Sequence, residues 1–251
     1  KRFMCCKTGS NSFRACRSAA GRVKVDVVVE GTLLKGREII PGCFGSADAA
    51  MLEPYEGTDN KGILYYDQEK VNAFCKKANR EGMQVEIHAI GDAAFQQATR
   101  ALKAALDDFP RKDHRHTIIH ACLPREEGIQ ICKDYEIALA IQSCFIDWPN
   151  EPNEYLEALL GERAAKLNPF KTYADNGVVQ ALGSDGPCTE PEPLMWIHKA
   201  CNNGDQSLTV QQALKMATYN TYWISFDEQD REYMVFWDLL PDWDGLDSDT
   251  A

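Results

Sequence analysis

From residue 67 onward, apolar positions recur with two alternating periods. "DQEKVNAFCKKANREG" (67–82) spaces its apolar residues for one face of a helix, with Asp67 as N-cap and Gly82 as stop. "MQVEIHA" follows as a strand. "DAAFQQATRALKAALDDF" is a helix of strong formers ended by Pro110. "HTIIHAC" then reads as a strand, "PREEGIQICKDYE" as a helix with Pro124 near its start, and "IALAIQSCF" as a strand. Beyond a proline-broken loop, "PNEYLEALLGER" and "NPFKTYADNG" read as helices, "VVQALGSD" as a strand, and "PLMWIHKACNNG" and "TVQQALKMATYN" as helices.

The first quarter is less regular. Residues 1–22 show no clear period, and "VKVDVVVEGTLL" (23–34) is β-branched and reads as a strand. Glycines and prolines punctuate residues 35–66, which predicts a long loop with a short helix at 46–52. Five strands, near residues 25, 85, 118, 138 and 180, alternate with helices. That order implies βαβ units, a parallel sheet and an α/β fold. A closed barrel needs eight strands, whereas an open doubly wound sheet can be built from five.

Composition narrows the function. The chain has 251 residues, 44% of them hydrophobic, enough for one large domain or two small ones. No apolar stretch approaches the ~20 residues of a membrane helix, so no membrane partner is expected. The net charge is −11, and every charged residue before Asp26 is basic (Lys1, Arg2, Lys7, Arg14, Arg17, Arg22, Lys24). The remainder is therefore more acidic still, which excludes nucleic acid as a natural partner. The basic, serine-rich arm resembles an organelle transit peptide, although a disordered or misread terminus explains it more simply. Ten cysteines show no CxxC spacing. Reduced thiols in a cytoplasmic setting are expected.

Three strands end in a group capable of metal or proton chemistry: His88, His120 and Asp185. In parallel β/α folds the carboxyl ends of the strands face the ligand. Two imidazoles and a carboxylate suit zinc or a similar divalent ion. Gly91 allows a tight turn after His88, and Asp92 is placed to cap the next helix or bond a site residue. "GSDGP" sets Asp185 on a turn where backbone can approach a ligand. His114 and His116 precede their strand and belong at the opposite end, while His198 falls within a helix.

"HAIGDAA", "RHTIIHA", "ALGSDGP" and "LTVQQALKMATYNTYWISFDEQD" occur in an order and spacing that resemble amidohydrolase family 3, the group that includes N-substituted formamide deformylases. "LEPYEGTDNKGILYYDQEKV" resembles that family's segment ahead of the histidine strand. The resemblance covers about residues 23–230 and implies a metal-dependent (β/α)₈ hydrolase of amide-like C–N bonds, here an incomplete TIM-type barrel. It implies His88 and His120 as metal ligands of the fifth and sixth strands. It implies Asp185 as an eighth-strand carboxylate that binds metal and shuttles protons as the catalytic residue.

Four departures qualify this. No His-x-His pair precedes His88. The family's bridging lysine lies four residues before an acidic-Gly pair, where this chain has Asp26; Lys24 serves only if a small insertion intervenes. Ile119 replaces an acid ahead of His120, and the stretch after Arg231 follows no family pattern. The expected organisation is an irregular basic arm (1–22), a partial hydrolase barrel (23–226) and an acidic, solvated tail (227–251). The expected function is hydrolysis of a small amide-like substrate with a divalent metal, zinc by preference, in a truncated form of the enzyme. The alternative is an inactive remnant serving as a binding or interaction module. A nucleotide-binding sheet is disfavoured because no strand is followed by GxGxxG or GxxxxGK[ST]. Tyr55, Tyr65, Tyr66, Trp148 and Trp196 are candidate pocket walls.

Overall fold

A computed structural model describes residues 13–17, 23–34 and 38–228. Its principal sheet has six strands in the order β1-β2-β5-β6-β7-β8. The five expected strands are β2 (Val23–Val28), β5 (Gln84–Ala89), β6 (Thr117–His120), β7 (Ala138–Ile141) and β8 (Gln180–Leu182). All five run parallel, each beside the next in chain order. The helices between them are α1 (Gln68–Arg80), α2 (Asp92–Asp108), α3 (Glu126–Asp134), α4 (Asn153–Leu160) and α5 (Phe170–Asp175). After β8 come α6 (Pro193–Cys201), α7 (Val210–Ala217) and α8 (Tyr219–Ile224). The described strands form an open sheet, an incomplete (β/α)₈ barrel.

Several local expectations are corrected. A strand, β1 (Phe13–Arg17), pairs antiparallel with β2 inside the arm expected to be irregular. The strand predicted over 23–34 breaks at Val29–Glu30 and resumes as β3 (Gly31–Leu34), which forms a hairpin with β4 (Glu38–Pro41). No helix forms at 46–52; a turn at 44–47 leads into irregular chain. The predicted helix over 209–220 divides at Thr218 into α7 and α8. Of the tail predicted from 227, residues 229–251 lie outside the described residues. Glu228 is not a freely solvated acid: its carboxylate takes two hydrogen bonds from the Arg115 guanidinium, at 2.7 and 2.9 Å.

The two faces of the sheet follow from strand alternation. Val85, Ile87, Ile118, Leu139, Ile141 and Leu182 point to one side and pack against Phe95, Leu102, Phe170 and Tyr173 of the helices, forming the main core. The opposite, concave face carries Gln84, Glu86 and His88 on β5 and the alanines Ala138, Ala140 and Ala181 on β7 and β8. These small residues leave room for Ile224 of α8, which packs on them with Trp223. α8 also serves the outer edge of β8. β7 takes its ladder bonds from Val179 O and Gly183 N, so in a parallel ladder the carbonyls of Gln180 and Leu182 face away from it. Asn220 Nδ2 donates to Gln180 O at 2.7 Å, and Thr221 Oγ1 donates to Leu182 O at 3.2 Å. A helix thus supplies hydrogen bonds where a neighbouring strand otherwise would. No helix among the described residues is long and apolar enough to cross a membrane, and seven described cysteines are free thiols.

Candidate metal centre

The site begins where β2 and β5 end. Register places Val28 opposite His88, so Glu30 lies just beyond that level, at the carboxyl end of the sheet. Glu30 is fully buried, and its carboxylate accepts from Ala50 N at 2.5 Å, closely from Ile90 N, and from Gly91 N at 3.4 Å. One side chain therefore joins the 48–52 loop to the turn after β5. Burial pushes the Glu30 carboxyl up to about 8, against the pull of these amides. Close packing explains Gly91: a Cβ there would stand 2.1 Å from Ala50 O. Asp92 does not cap α2, whose N-cap is Gly91; its carboxylate instead accepts from Leu52 N at 2.8 Å.

His88 projects from the concave face, with Nε2 at 3.0 Å from Gly42 O and 3.6 Å from Glu30 Oε1. A carbonyl only accepts, so Nε2 carries the proton and Nδ1 keeps the lone pair. β6 delivers the second imidazole by a backbone device. His120 and Ala121 take left-handed conformations (φ 73° and 50°), which non-glycine residues adopt at a cost. The chain turns sharply there, and the His120 ring stands edge-on to His88, with centroids 4.5 Å apart and planes at 74°. His120 Nδ1 is buried and has no hydrogen-bond partner among the described residues. Burial holds both imidazoles neutral, His88 down to about 3 and His120 down to about 4, with His120 also lowering His88.

Asp185 lies on the turn after β8, also with positive φ (55°). Burial raises its carboxyl, and His88 draws it back, so the two share a local field. Asp185 does not close on the imidazoles: among the described residues, no three His, Cys, Asp or Glu groups stand close enough together to hold a metal ion. Lys24 is not brought to the site. It aligns with Gln84, four residues before the His88 level and thus about 13 Å along the strands, and its ammonium bonds Glu86 at 2.7 Å.

Other candidates separate similarly. His114 and His116 lie at the amino end of β6 as structural residues: His116 Nδ1 accepts from Val85 N at 3.0 Å, and His114 Nδ1 accepts from His116 N at 2.9 Å. His198 is exposed on α6. Tyr55 is buried, with its hydroxyl donating to Ala49 O at 2.7 Å. Tyr65 and Tyr66 line a separate cleft with Leu52 and Gln97, and Trp196 packs at the edge of the main core. Only Trp148, of the proposed walls, connects to the imidazoles, through Phe145. Sequence reading missed Glu30 and Phe145. An acidic-Gly pair at a strand end was the available signal for Glu30.

The chain has known relatives. The amidohydrolase family model matches residues 25–235. The chain belongs to the amidohydrolase family. It is 30% identical over 206 residues to the putative amidohydrolase YtcJ of Bacillus subtilis (strain 168), covering 76% of this chain and 37% of that protein. It is 25% identical over 179 residues to the N-substituted formamide deformylase of Arthrobacter pascens, covering 63% and 31%. A crystal structure of an uncharacterised metal-dependent hydrolase from Pyrococcus horikoshii OT3 superposes with TM-score 0.63 at 25% identity, over 74% of this chain and 39% of that one. The chain thus spans about a third of the length of these curated amidohydrolases.

Proposed function

We propose that this chain carries part of the metal centre of a hydrolase acting on C–N bonds of small, non-peptide amide-like molecules. His88 and His120 would hold the divalent cation, with zinc favoured by their nitrogen donors, and Asp185 would serve it from the turn after β8. The observation that supports this best is the pair of neutral imidazoles edge-on at the carboxyl end of the sheet, one with an orphaned, buried Nδ1. Ligating imidazoles must be neutral, and burial makes these so. A bound divalent cation supplies Lewis acidity toward a carbonyl and lowers the pKa of water. Asp185, raised by burial, is suited to take a proton at its carboxylate and hand it to the departing nitrogen. Gly42 O fixes the position of His88, and Glu30 lies beside it. Free thiols throughout the described residues suit a reducing, cytoplasmic compartment.

A second reading, a non-catalytic amidohydrolase-like module, is favoured by the gap between Asp185 and the imidazole pair and by the engagement of Lys24 with Glu86. Turnover separates the two. Protein supplied with one equivalent of zinc is expected to hydrolyse simple amides, with at least a hundredfold loss on Asp185→Asn. Absence of turnover across neutral amides, or equal rates in the variant, would favour the module.

A further inference from the structure

His120 is the inner end of an aromatic series. Phe145 stacks on it at 6.1 Å between centroids with planes at 21°, and Trp148 lies 4.8 Å from Phe145 at 36°. Both outer rings are partly exposed, whereas His120 is buried. They stand on the loop after β7, at the same end of the sheet as the imidazoles.

This loop is well anchored. Trp148 and Glu151 form a bridge closed by a hydrogen bond from Glu151 N to Trp148 O at 3.0 Å. The Glu151 carboxylate accepts from Gly45 N at 2.5 Å, and the Tyr155 hydroxyl donates to Gly45 O at 3.1 Å. These bonds tie the aromatic loop to the segment whose Gly42 carbonyl holds His88. Rings fixed in this way lose little freedom when another flat group packs on them. Carboxyl groups surround them: Glu151 stands on their own loop and Asp185 on the turn after β8, and Asp48 contributes to the field at His88. A substrate bearing its own carboxylate would be repelled.

We propose that Phe145 and Trp148 form a shelf for a flat, uncharged aromatic substituent next to the amide carbonyl of the substrate. The proposal deepens the hydrolase reading and rests on it for the identity of the reacting amide. A carbonyl at the imidazole pair would place its adjoining substituent beside Phe145. Aromatic stacking favours an unsaturated ring over a saturated one of equal size.

Equilibrium binding of three probes to the full chain tests this without requiring turnover. Benzamide is expected to bind about three- to tenfold more tightly than cyclohexanecarboxamide, and hippurate, which adds a carboxylate, more weakly than benzamide. Trp148→Ala should abolish the benzamide preference while leaving the melting temperature near wild type; if that variant melts early, Phe145→Leu serves in its place. Equal affinities for the two neutral amides, no binding of either, or a preference that survives substitution would overturn the shelf. Binding with the predicted preference but no cleavage of any amide would retain the shelf and overturn the hydrolase reading. Cleavage with no aromatic preference would do the reverse.

Discussion

Glu30 shows how one buried group can organise a site without belonging to its expected ligand set. Its two oxygens accept from three backbone amides and lie beside His88. Raised to about 8, Glu30 is largely protonated at neutral pH, yet its hydroxyl oxygen keeps a lone pair for a backbone amide, whereas the amide nitrogen of glutamine keeps none and would face a backbone donor. Glu30→Gln is therefore expected to lower folding stability by about 2–3 kcal/mol, measured by urea unfolding at neutral pH. The exposed Glu56, paired with Arg163 at 3.4 Å, provides the contrast: Glu56→Gln should change stability by no more than about 0.5 kcal/mol. Equal effects of the two substitutions would refute the joining role of Glu30. At this scale the sequence located His88 and His120 near the carboxyl ends of their strands, because place in a strand is a local property. It was silent on which loops Glu30 would meet, because Ala50 and Ile90 converge on it only through tertiary packing.

At the scale of elements, alternating periods disclosed the five parallel strands and most helices, since each element buries one side against a neighbour. Asp67 caps α1 as expected, accepting from Lys70 N at 2.7 Å. The hairpin of β3 and β4 was hidden because a glycine- and proline-bearing segment carries no clear period. The break at Thr218 was hidden because α7 and α8 share a helical composition but bury residues in different clusters, Ala213 and Met216 in the main core and Ile224 against the alanines of β7 and β8. The amino end of β6 also makes stability depend on pH. Burial lowers the proton affinity of His114 and His116, and of His88 and His120. These groups stay neutral in the folded chain while the unfolded chain protonates below about pH 6.5. Stability must then fall as pH drops through 6.5 toward the folded values, by up to about 1.4 kcal/mol per histidine per pH unit. Glu30, raised to about 8, acts in the opposite direction, but it is one group against four. Denaturation free energies should change little between pH 7.5 and 6.5, where Glu30 offsets the few protons the unfolded histidines take up, and decline from 6.5 to 5.5, with a shallower decline in His114→Gln. A flat profile, or an identical slope in the variant, would contradict this.

At the scale of the whole molecule, the described chain is an open sheet whose concave side is filled at one end by α8 and bears the imidazole pair at the other. Arg115 fastens the α8 end: its guanidinium bonds Trp223 O and Glu228 and lies over the rings of Trp223 and Phe226, at 4.6 and 4.1 Å. Two buried clusters, one between sheet and helices and one beneath the 43–55 loop, hold the strand ends in place. The open, partial barrel was legible from strand count and motif order. The separation of Asp185 from the imidazoles was not, because strand order fixes which end a residue occupies but not how far a turn carries it.

X-ray absorption spectroscopy of the full chain loaded with one equivalent of zinc measures that arrangement directly. The predicted spectrum shows two imidazole nitrogens at about 2.0–2.1 Å with oxygen completing the shell, one imidazole being lost in His88→Ala. A shell dominated by sulfur at about 2.3 Å, or one unchanged by that substitution, would contradict the assignment of His88 and His120 as the metal-binding pair.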